Sequence, residues 1–599
     1  MIRDKVKLAN KTGLNTRSAK EMNEVYQGVP VSKGIVIGKV YKYLKEELII
    51  EDYPISEEEV LTELEKLEEA RQRANRFLKE IKEKAASELG SEETKIFDAH
   101  ISMLNDPVVY GEMKDLIKKE KINAGAAVKK AIQRITDKFS RMDNEYFKER
   151  IKDIQDVGNH LLRALTGEIT SLQNLPEDSI ILAEDLTPSE IALIDKDRLK
   201  GLILSKGGKT SHTVIMARGL MLPVIVNVEG ILDKVGHGER VILDALSGEI
   251  VVEPDRELLD KYREKINKYY RRQQKLFRLK DKSATTIDGF TIGLSANIGT
   301  DEELRGVLEV NSEGIGLFRS EFLYMNTEEL PDEEKQFKVY REVVEEMAGK
   351  PVIIRTLDTG GDKGLPGLEL PDELNPFLGW RAIRISLERR DIFKTQLKAL
   401  LRARYYGNLK IMFPLISSLE ELREAKRILK EVKGELDRAG IPYDPDIEVG
   451  MMVEVPAAAI LADIFAREVD FFSIGTNDLI QYIVAVDRTN DKIANLNTPY
   501  HPAVLRVIKE VVEAAYRAGI WVGICGEAGG DSLLTPFFIG LGVNELSMSV
   551  GAILEIKDVV RQLKREECKG IVEDVLKLST AEEVKEYLTE VRKKKSYEI

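Results

Sequence analysis

From about residue 285 to its end, the chain alternates short apolar runs with amphipathic, helix-forming stretches, and it does so eight times. The runs are 290–296, 314–318, 351–354, 409–413, 448–453, 470–474, 521–524 and 544–547. Near-continuous apolar runs of this length are what strands covered on both faces require. Parallel neighbours need a crossover, and each run is followed by enough helix-forming sequence to supply one. Eight such units in roughly 300 residues predict a (β/α)8 barrel of TIM type, with its chemistry at the C-terminal ends of the strands. A doubly wound open sheet is the competing arrangement, but no Gly-rich dinucleotide fingerprint follows the first run.

The polar residues fall where a barrel would use them. Arg319 follows the second run and Arg355 the third; Glu454 follows the fifth, Asn477 and Asp478 the sixth, and Cys525 the seventh. Arg381, Arg488 and Lys363 (in GGDK) lie in the connections. Guanidinium forks match phosphate and carboxylate oxygens bidentately, so such a group could surround an anion. Glu454 and Asp478 are hard oxygen donors of the kind Mg²⁺ takes. Any one of these arginines alone would equally serve a surface ion pair. Cys525, between glycines in GICGEAGG, is either a small buried apolar residue or a proton donor facing the anion site.

The first half of the chain has a different character. Residues 28–43 read as short strands broken by glycine, and from Ser56 to about Leu165 the sequence is almost entirely helix formers. Ser56 with Glu59 makes a capping box. Val60, Leu64, Leu67, Ala74, Leu78 and Ile81 then lay one apolar stripe along a long helix. Asn105-Asp106-Pro107 and Asn123-Ala124-Gly125 mark turns between further helices. Strand-like runs return at 180–183, 202–204, 223–226 and 240–243. The expected organisation is therefore multidomain α/β. It comprises an extension at 1–27, an α/β domain from 28–43 and 166–254 interrupted by a helical bundle at 44–165, a linker helix over 255–284, and the barrel over 285–599.

Within the α/β domain, Gly207-Gly208-Lys209-Thr210-Ser211-His212 precedes the helical stretch TVIMAR. Two glycines let the backbone approach a tetrahedral anion, Thr210 and Ser211 add hydroxyl donors, and the first turn of a helix favours negative charge. His212 there is placed to carry a phosphoryl group; a capping turn with an incidental histidine is the other reading. His100, His160, His237 and His501 lack such a loop and are expected to be structural or surface residues.

Bulk properties bound the function. A net charge of −13 argues against nucleic-acid partners. No apolar run approaches a membrane span. Two cysteines, Cys525 and Cys568, exclude a disulfide framework, and a reducing cytoplasm is expected.

Nine stretches in order resemble one family: GGKTSHTVIMARGLMLPVIV, GLFRSEFLYM, RTLDTGGDK, NPFLGWRAIR, MFPLISS, MMVEVPAA, DFFSIGTNDLIQY, AVDRTN and GICGEAGGD. They are similar to enzyme I of the bacterial sugar phosphotransferase system, the phosphoenolpyruvate-protein phosphotransferases. The resemblance implies a swivelling phosphohistidine domain interrupted by a helical domain that docks the carrier HPr, and a phosphoenolpyruvate-binding barrel that dimerises. It implies His212 as phosphoacceptor, with Arg319, Arg355, Lys363, Arg381, Asn477 and Arg488 around the substrate. It also implies Glu454 and Asp478 on Mg²⁺ (Asp478 lining the substrate site as well) and Cys525 as donor of a proton to the enolate. Dikinases share the His domain and the barrel but charge the histidine through an ATP-grasp domain, for which the 120-odd helical residues are too few. The nitrogen-branch paralogue carries a sensory domain too large for the first 27 residues, and a non-catalytic scaffold would not keep the barrel residues intact. The sequence departs from the family at its start, where VKLANKTGLNTRSAKEM faintly resembles the active-site stretch of HPr. Asn15 stands in place of the phosphorylatable histidine and Ser18 in place of a proline. A mispredicted start or a disordered extension is the plainer reading; the alternative, a pseudo-substrate that occupies the HPr site, would be refuted if deleting residues 1–26 left the KM for HPr unchanged.

Overall fold

The computed structural model describes residues 23–44, 50–88, 95–140, 145–167, 172, 175–206, 222–300, 303–325, 329–360, 373–490 and 492–594. Asn15, Ser18, the Gly207–His212 loop and Lys363 lie outside these residues. The chain divides into two compact units, residues 1–271 and 272–599.

The first unit holds an eight-stranded mixed sheet. Its strands are β1 Glu24–Gln27, β2 Val29–Ser32, β3 Ile35–Tyr43, β4 Ser179–Ala183, β5 Leu199–Leu204, β6 Val224–Val226, β7 Arg240–Asp244 and β8 Glu249–Val252, in the order β1-β8-β7-β3-β4-β5-β6-β2. β3 and β4 are parallel neighbours although 135 residues separate them, from Tyr43 to Ser179, so the helices between them are an insertion into this sheet. Two strands escaped the sequence reading. β1 alternates along an edge with Val25 exposed, so Glu24–Gln27 belong to the sheet rather than to the extension expected at 1–27. β8 pairs with β7 through a tight turn at Ser247-Gly248 and is only four residues long.

The inserted helices are α1 Val60–Glu88, α2 Lys95–Leu104, α3 Pro107–Glu120, α4 Ala124–Ser140 and α5 Glu145–Thr166. Ser56 and Glu59 form the expected capping box, Asp106 accepts from the N–H groups of Val108 and Val109, and Asn123 accepts from Ala126. Each satisfies amide donors that a helix start leaves orphaned. Leu67, Ala74, Leu78 and Ile81 are buried in the bundle core, as their spacing requires. The helix Arg256–Phe277 lies within the stretch read from the sequence as a linker helix, yet it is not solvated along its whole length. Its first turns instead bury Leu259 and Tyr262 against Ile35, Ile242 and Val251 of the sheet.

The second unit is a closed barrel of eight parallel strands: β9 Gly293–Ile298, β10 Ile315–Arg319, β11 Val352–Arg355, β12 Leu409–Phe413, β13 Val449–Val453, β14 Phe471–Gly475, β15 Trp521–Cys525 and β16 Glu545–Met548. β16 pairs with β9 and closes it. Seven strands start within one residue of the expected runs. β9 starts three residues late because Gly289, at φ +88°, turns the chain back so that Thr285 bridges Thr291. Leu317, Ile353, Met412, Met452 and Phe471 fill the lumen, and Trp521 stacks on Phe471 with ring centroids 4.4 Å apart. The barrel is thus a packed core, and only its rim is free for chemistry.

Candidate active site

The C-terminal rim carries a cavity of about 540 Å³ lined by Arg319, Arg355, Arg381, Glu454, Asn477, Asp478, Arg488 and Cys525. The strands set this out. Arg319, Arg355 and Cys525 are the last residues of β10, β11 and β15, and Glu454 directly follows β13. Asn477 and Asp478 sit in the first turn of the helix Thr476–Val484 that follows β14. Arg381 and Arg488 come from the connections behind β11 and β14.

The charges form a string of alternating sign. Arg355 Nη2 donates to Glu321 Oε1 at 2.6 Å, and its Nη1 lies 2.7 Å from Asp358 Oδ2. Asp358 Oδ1 accepts from Arg381 Nη2 at 3.0 Å, and the same nitrogen reaches Asp478 Oδ2 at 3.2 Å. Asp478 Oδ1 pairs with Arg488 Nη1 at 2.8 Å. Tyr482 accepts from Arg381 Nη1 and donates to the Phe377 carbonyl at 2.6 Å, which holds that guanidinium over the cavity. Among the described residues no carboxylate pairs with Arg319, whose head lines the cavity.

Burial disfavours charge on Arg355, but the facing carboxylates of Asp358 and Glu321 outweigh it and hold its pKa above the ordinary range. Arg381 is held up likewise, by Asp358 and Asp478 against its own burial. Glu454 is the opposite case. Burial, then the negative charges of Asp478 and Asp358, push it up to about 8, although Leu415 N–H donates to its Oε1 at 2.6 Å. A buried carboxylate crowded by a second one fits a site that takes a cation. Position 475 is glycine, and a Cβ there would lie 2.9 Å from Glu454 Oε2, so the absent side chain leaves the carboxylate its room.

Cys525 is 2% exposed, with its Sγ 3.6 Å from the Ile474 carbonyl oxygen. Burial pushes the thiol up to about 12, so it keeps its proton at neutral pH. Gly526, at φ +137°, turns the chain away immediately behind it, and a Cβ there would collide with Thr476 Oγ1.

The cavity can therefore hold a small polyanion among guanidinium groups, beside a cation-ready carboxylate pair and a protonated thiol. Sequence reasoning missed Glu321, Asp358 and Tyr482. The first two stand two and three residues beyond Arg319 and Arg355, a spacing that could have flagged them. Tyr482 enters only through the fold. Of the other histidines, His100 and His160 are buried beside Asp156, His501 Nδ1 caps the helix Pro502–Ala518, and His237 is a surface residue set edge-on to Tyr41. Cys568 is buried in the hydrophobic core.

Removing Arg355 takes a guanidinium partner from two buried carboxylates, Glu321 and Asp358. Arg355→Met is expected to lower unfolding free energy by about 3–5 kcal/mol, the cost of breaking a buried ion pair from one side. Urea titration checks this, and a loss under 1 kcal/mol would mean that Glu321 and Asp358 are held otherwise.

Three family profiles match the chain in order: the N-terminal domain of phosphoenolpyruvate-utilising enzymes over residues 27–150, their mobile domain over 175–248 and their phosphoenolpyruvate-binding domain over 273–565. The phosphoenolpyruvate-protein phosphotransferase of Priestia megaterium is 45% identical over 568 residues, which cover 95% of this chain and 99% of that protein. The proteins of that name from Geobacillus stearothermophilus and Bacillus subtilis are 47% and 45% identical, over 93% and 95% of this chain and 96% and 99% of theirs. With the rim geometry and likeness along nearly the whole length of each relative, the chain belongs to the phosphoenolpyruvate-protein phosphotransferases.

Proposed function

We propose that the barrel takes the phosphoryl group of phosphoenolpyruvate, that His212 accepts it, and that HPr receives it from His212 to drive sugar uptake. The observation that carries the barrel half is the alternating string of buried guanidinium and carboxylate groups around a protonated thiol. Arg319, Arg355, Arg381 and Arg488, with Asn477 and Lys363, hold the phosphate and carboxylate of the substrate and neutralise the charge that spreads during transfer. The bond between phosphorus and the enol oxygen breaks as an imidazole nitrogen of His212 bonds to phosphorus. The enolate left behind takes the Cys525 proton at its methylene carbon to become pyruvate, and the thiolate regains a proton from solvent. Glu454 and Asp478 would hold Mg²⁺, which when bound neutralises substrate oxygens. The glycines and hydroxyls of the Gly207–Ser211 loop support His212.

The inserted helices are the proposed HPr dock; Leu61 and Val108 are exposed apolar side chains on α1 and α3. For the barrel we propose homodimerisation. Ile460, Leu461, Ile464 and Tyr516 leave apolar surface on its helices, and sedimentation as a monomer at micromolar concentration would contradict it. No described helix is long and apolar enough to cross a membrane, and both cysteines are free; we propose a cytoplasmic location.

A carrier-dependent phosphohistidine enzyme charges itself once and waits. Mixed with phosphoenolpyruvate and Mg²⁺ alone, the protein should release one pyruvate per chain in a burst, and steady release should begin only when HPr is added. Steady release without HPr would contradict the assignment of HPr as acceptor.

A further inference from the structure

Behind the rim, on the side away from the cavity, a fully buried amide ties together the ends of two neighbouring strands. Gln396 lies on the helix Arg390–Arg404 with none of its side chain exposed. Its Oε1 accepts the Leu357 N–H at 2.9 Å, just beyond the end of β11. Its Nε2 donates to Ser320 Oγ at 2.9 Å, just beyond the end of β10, and to Tyr340 Oη at 3.1 Å. Ser320 Oγ in turn donates to the Arg355 carbonyl at 2.7 Å.

What these bonds hold is the substrate-facing row. Ser320 stands between Arg319 and Glu321, and Glu321 pairs with Arg355. Leu357 immediately precedes Asp358, which bridges Arg355 and Arg381. One side chain thus fixes the backbone beneath Arg319 and beneath Asp358 together, and with it the spacing of three guanidinium groups. A glutamine suits the task because it offers an acceptor to one strand and a donor to the other. Burial makes each bond costly to lose and hard to replace.

We propose that Gln396 is a positioning residue for phosphoenolpyruvate: it sets the spacing of the arginines that receive the substrate's anionic groups, and it touches no substrate itself. The inference rests on the barrel half of the function proposed above. It predicts an effect on substrate affinity that the rest of the buried network does not share. Tyr340, on the helix Glu333–Glu346, is as buried as Gln396 and accepts from it, and its hydroxyl donates to Gln336 Oε1 at 3.2 Å; losing that hydroxyl leaves the bonds of Gln396 to Leu357 and Ser320 in place.

The test compares Gln396→Met with Tyr340→Phe in the full-length protein, with Mg²⁺ and saturating HPr. Gln396→Met should raise the KM for phosphoenolpyruvate about ten- to hundredfold, the scale of an ångström-sized misplacement of binding groups, with a smaller fall in kcat. Tyr340→Phe should leave the KM within twofold of wild type. Phosphoryl exchange between His212 and HPr, which does not use the barrel, should be unchanged in both. If Gln396→Met yields too little folded protein, Gln396→Glu is read in its place. It keeps the acceptor for Leu357 but loses the donor to Ser320, and at least a fivefold rise in KM is expected. A Gln396 variant that is folded and active with KM within twofold of wild type overturns the proposal, as does an equal rise in Tyr340→Phe. A wild type that makes no pyruvate from phosphoenolpyruvate would overturn the functional reading instead.

Discussion

His212→Ala is expected to take no acid-labile phosphoryl group from phosphoenolpyruvate, a fall on the order of 10⁶-fold, as when a nucleophile is removed from other covalent catalysts. The reason lies in the loop rather than in the histidine alone. β5 ends at Leu204, and the sequence then runs through Gly207-Gly208-Lys209-Thr210-Ser211 to His212. Glycine backbone and two hydroxyls suit three phosphoryl oxygens, and no other histidine follows such a loop. His100 and His160 are buried beside Asp156, and His501 is occupied as a helix cap. The variant should still bind phosphoenolpyruvate, because the rim is untouched. Equilibrium binding by calorimetry and acid-quenched labelling together check this, and label surviving in the variant would move the acceptor elsewhere.

The second large effect is on the proton. Cys525→Ala is expected to slow pyruvate formation by about 10²–10⁴-fold, the usual worth of a positioned general acid, while changing the KM for phosphoenolpyruvate less than fivefold. The thiol is a weak acid made weaker: burial lifts it to about 12, so it arrives protonated at any physiological pH. The same shift fixes the pH dependence. A folded-state pKa above the unfolded value means that the folded protein keeps the proton where the unfolded chain loses it. This contribution to stability is therefore complete below about pH 9 and lost as pH rises toward 12. Pyruvate formation should accordingly show no loss from the thiol below pH 9. Rates from a lactate dehydrogenase-linked assay across pH 6–9 check both points, and an alanine variant within tenfold of wild type would remove Cys525 from the chemistry.

Much of this site could be read from the chain because parallel barrel strands are continuous apolar runs, and the residue that ends each one must lie on the rim. Arg319, Arg355, Glu454, Asn477, Asp478 and Cys525 were legible for that reason, and all line one cavity. Residues whose role comes from a partner on another element were not. Tyr482 matters only because the helix Thr476–Val484 brings it against Arg381, and Gln396 only because its helix packs behind β10 and β11. Asp358 was hidden inside a quoted motif, where attention went to Arg355 and Lys363.

The most direct test of the central claim is a single labelling and chase. The protein is charged with ³²P-labelled phosphoenolpyruvate and Mg²⁺, freed of substrate and divided between purified HPr and a mixture of AMP with phosphate. The account predicts acid-labile label at His212 that passes wholly to HPr. Label that instead appears in ATP, or a protein that never becomes labelled, would contradict it.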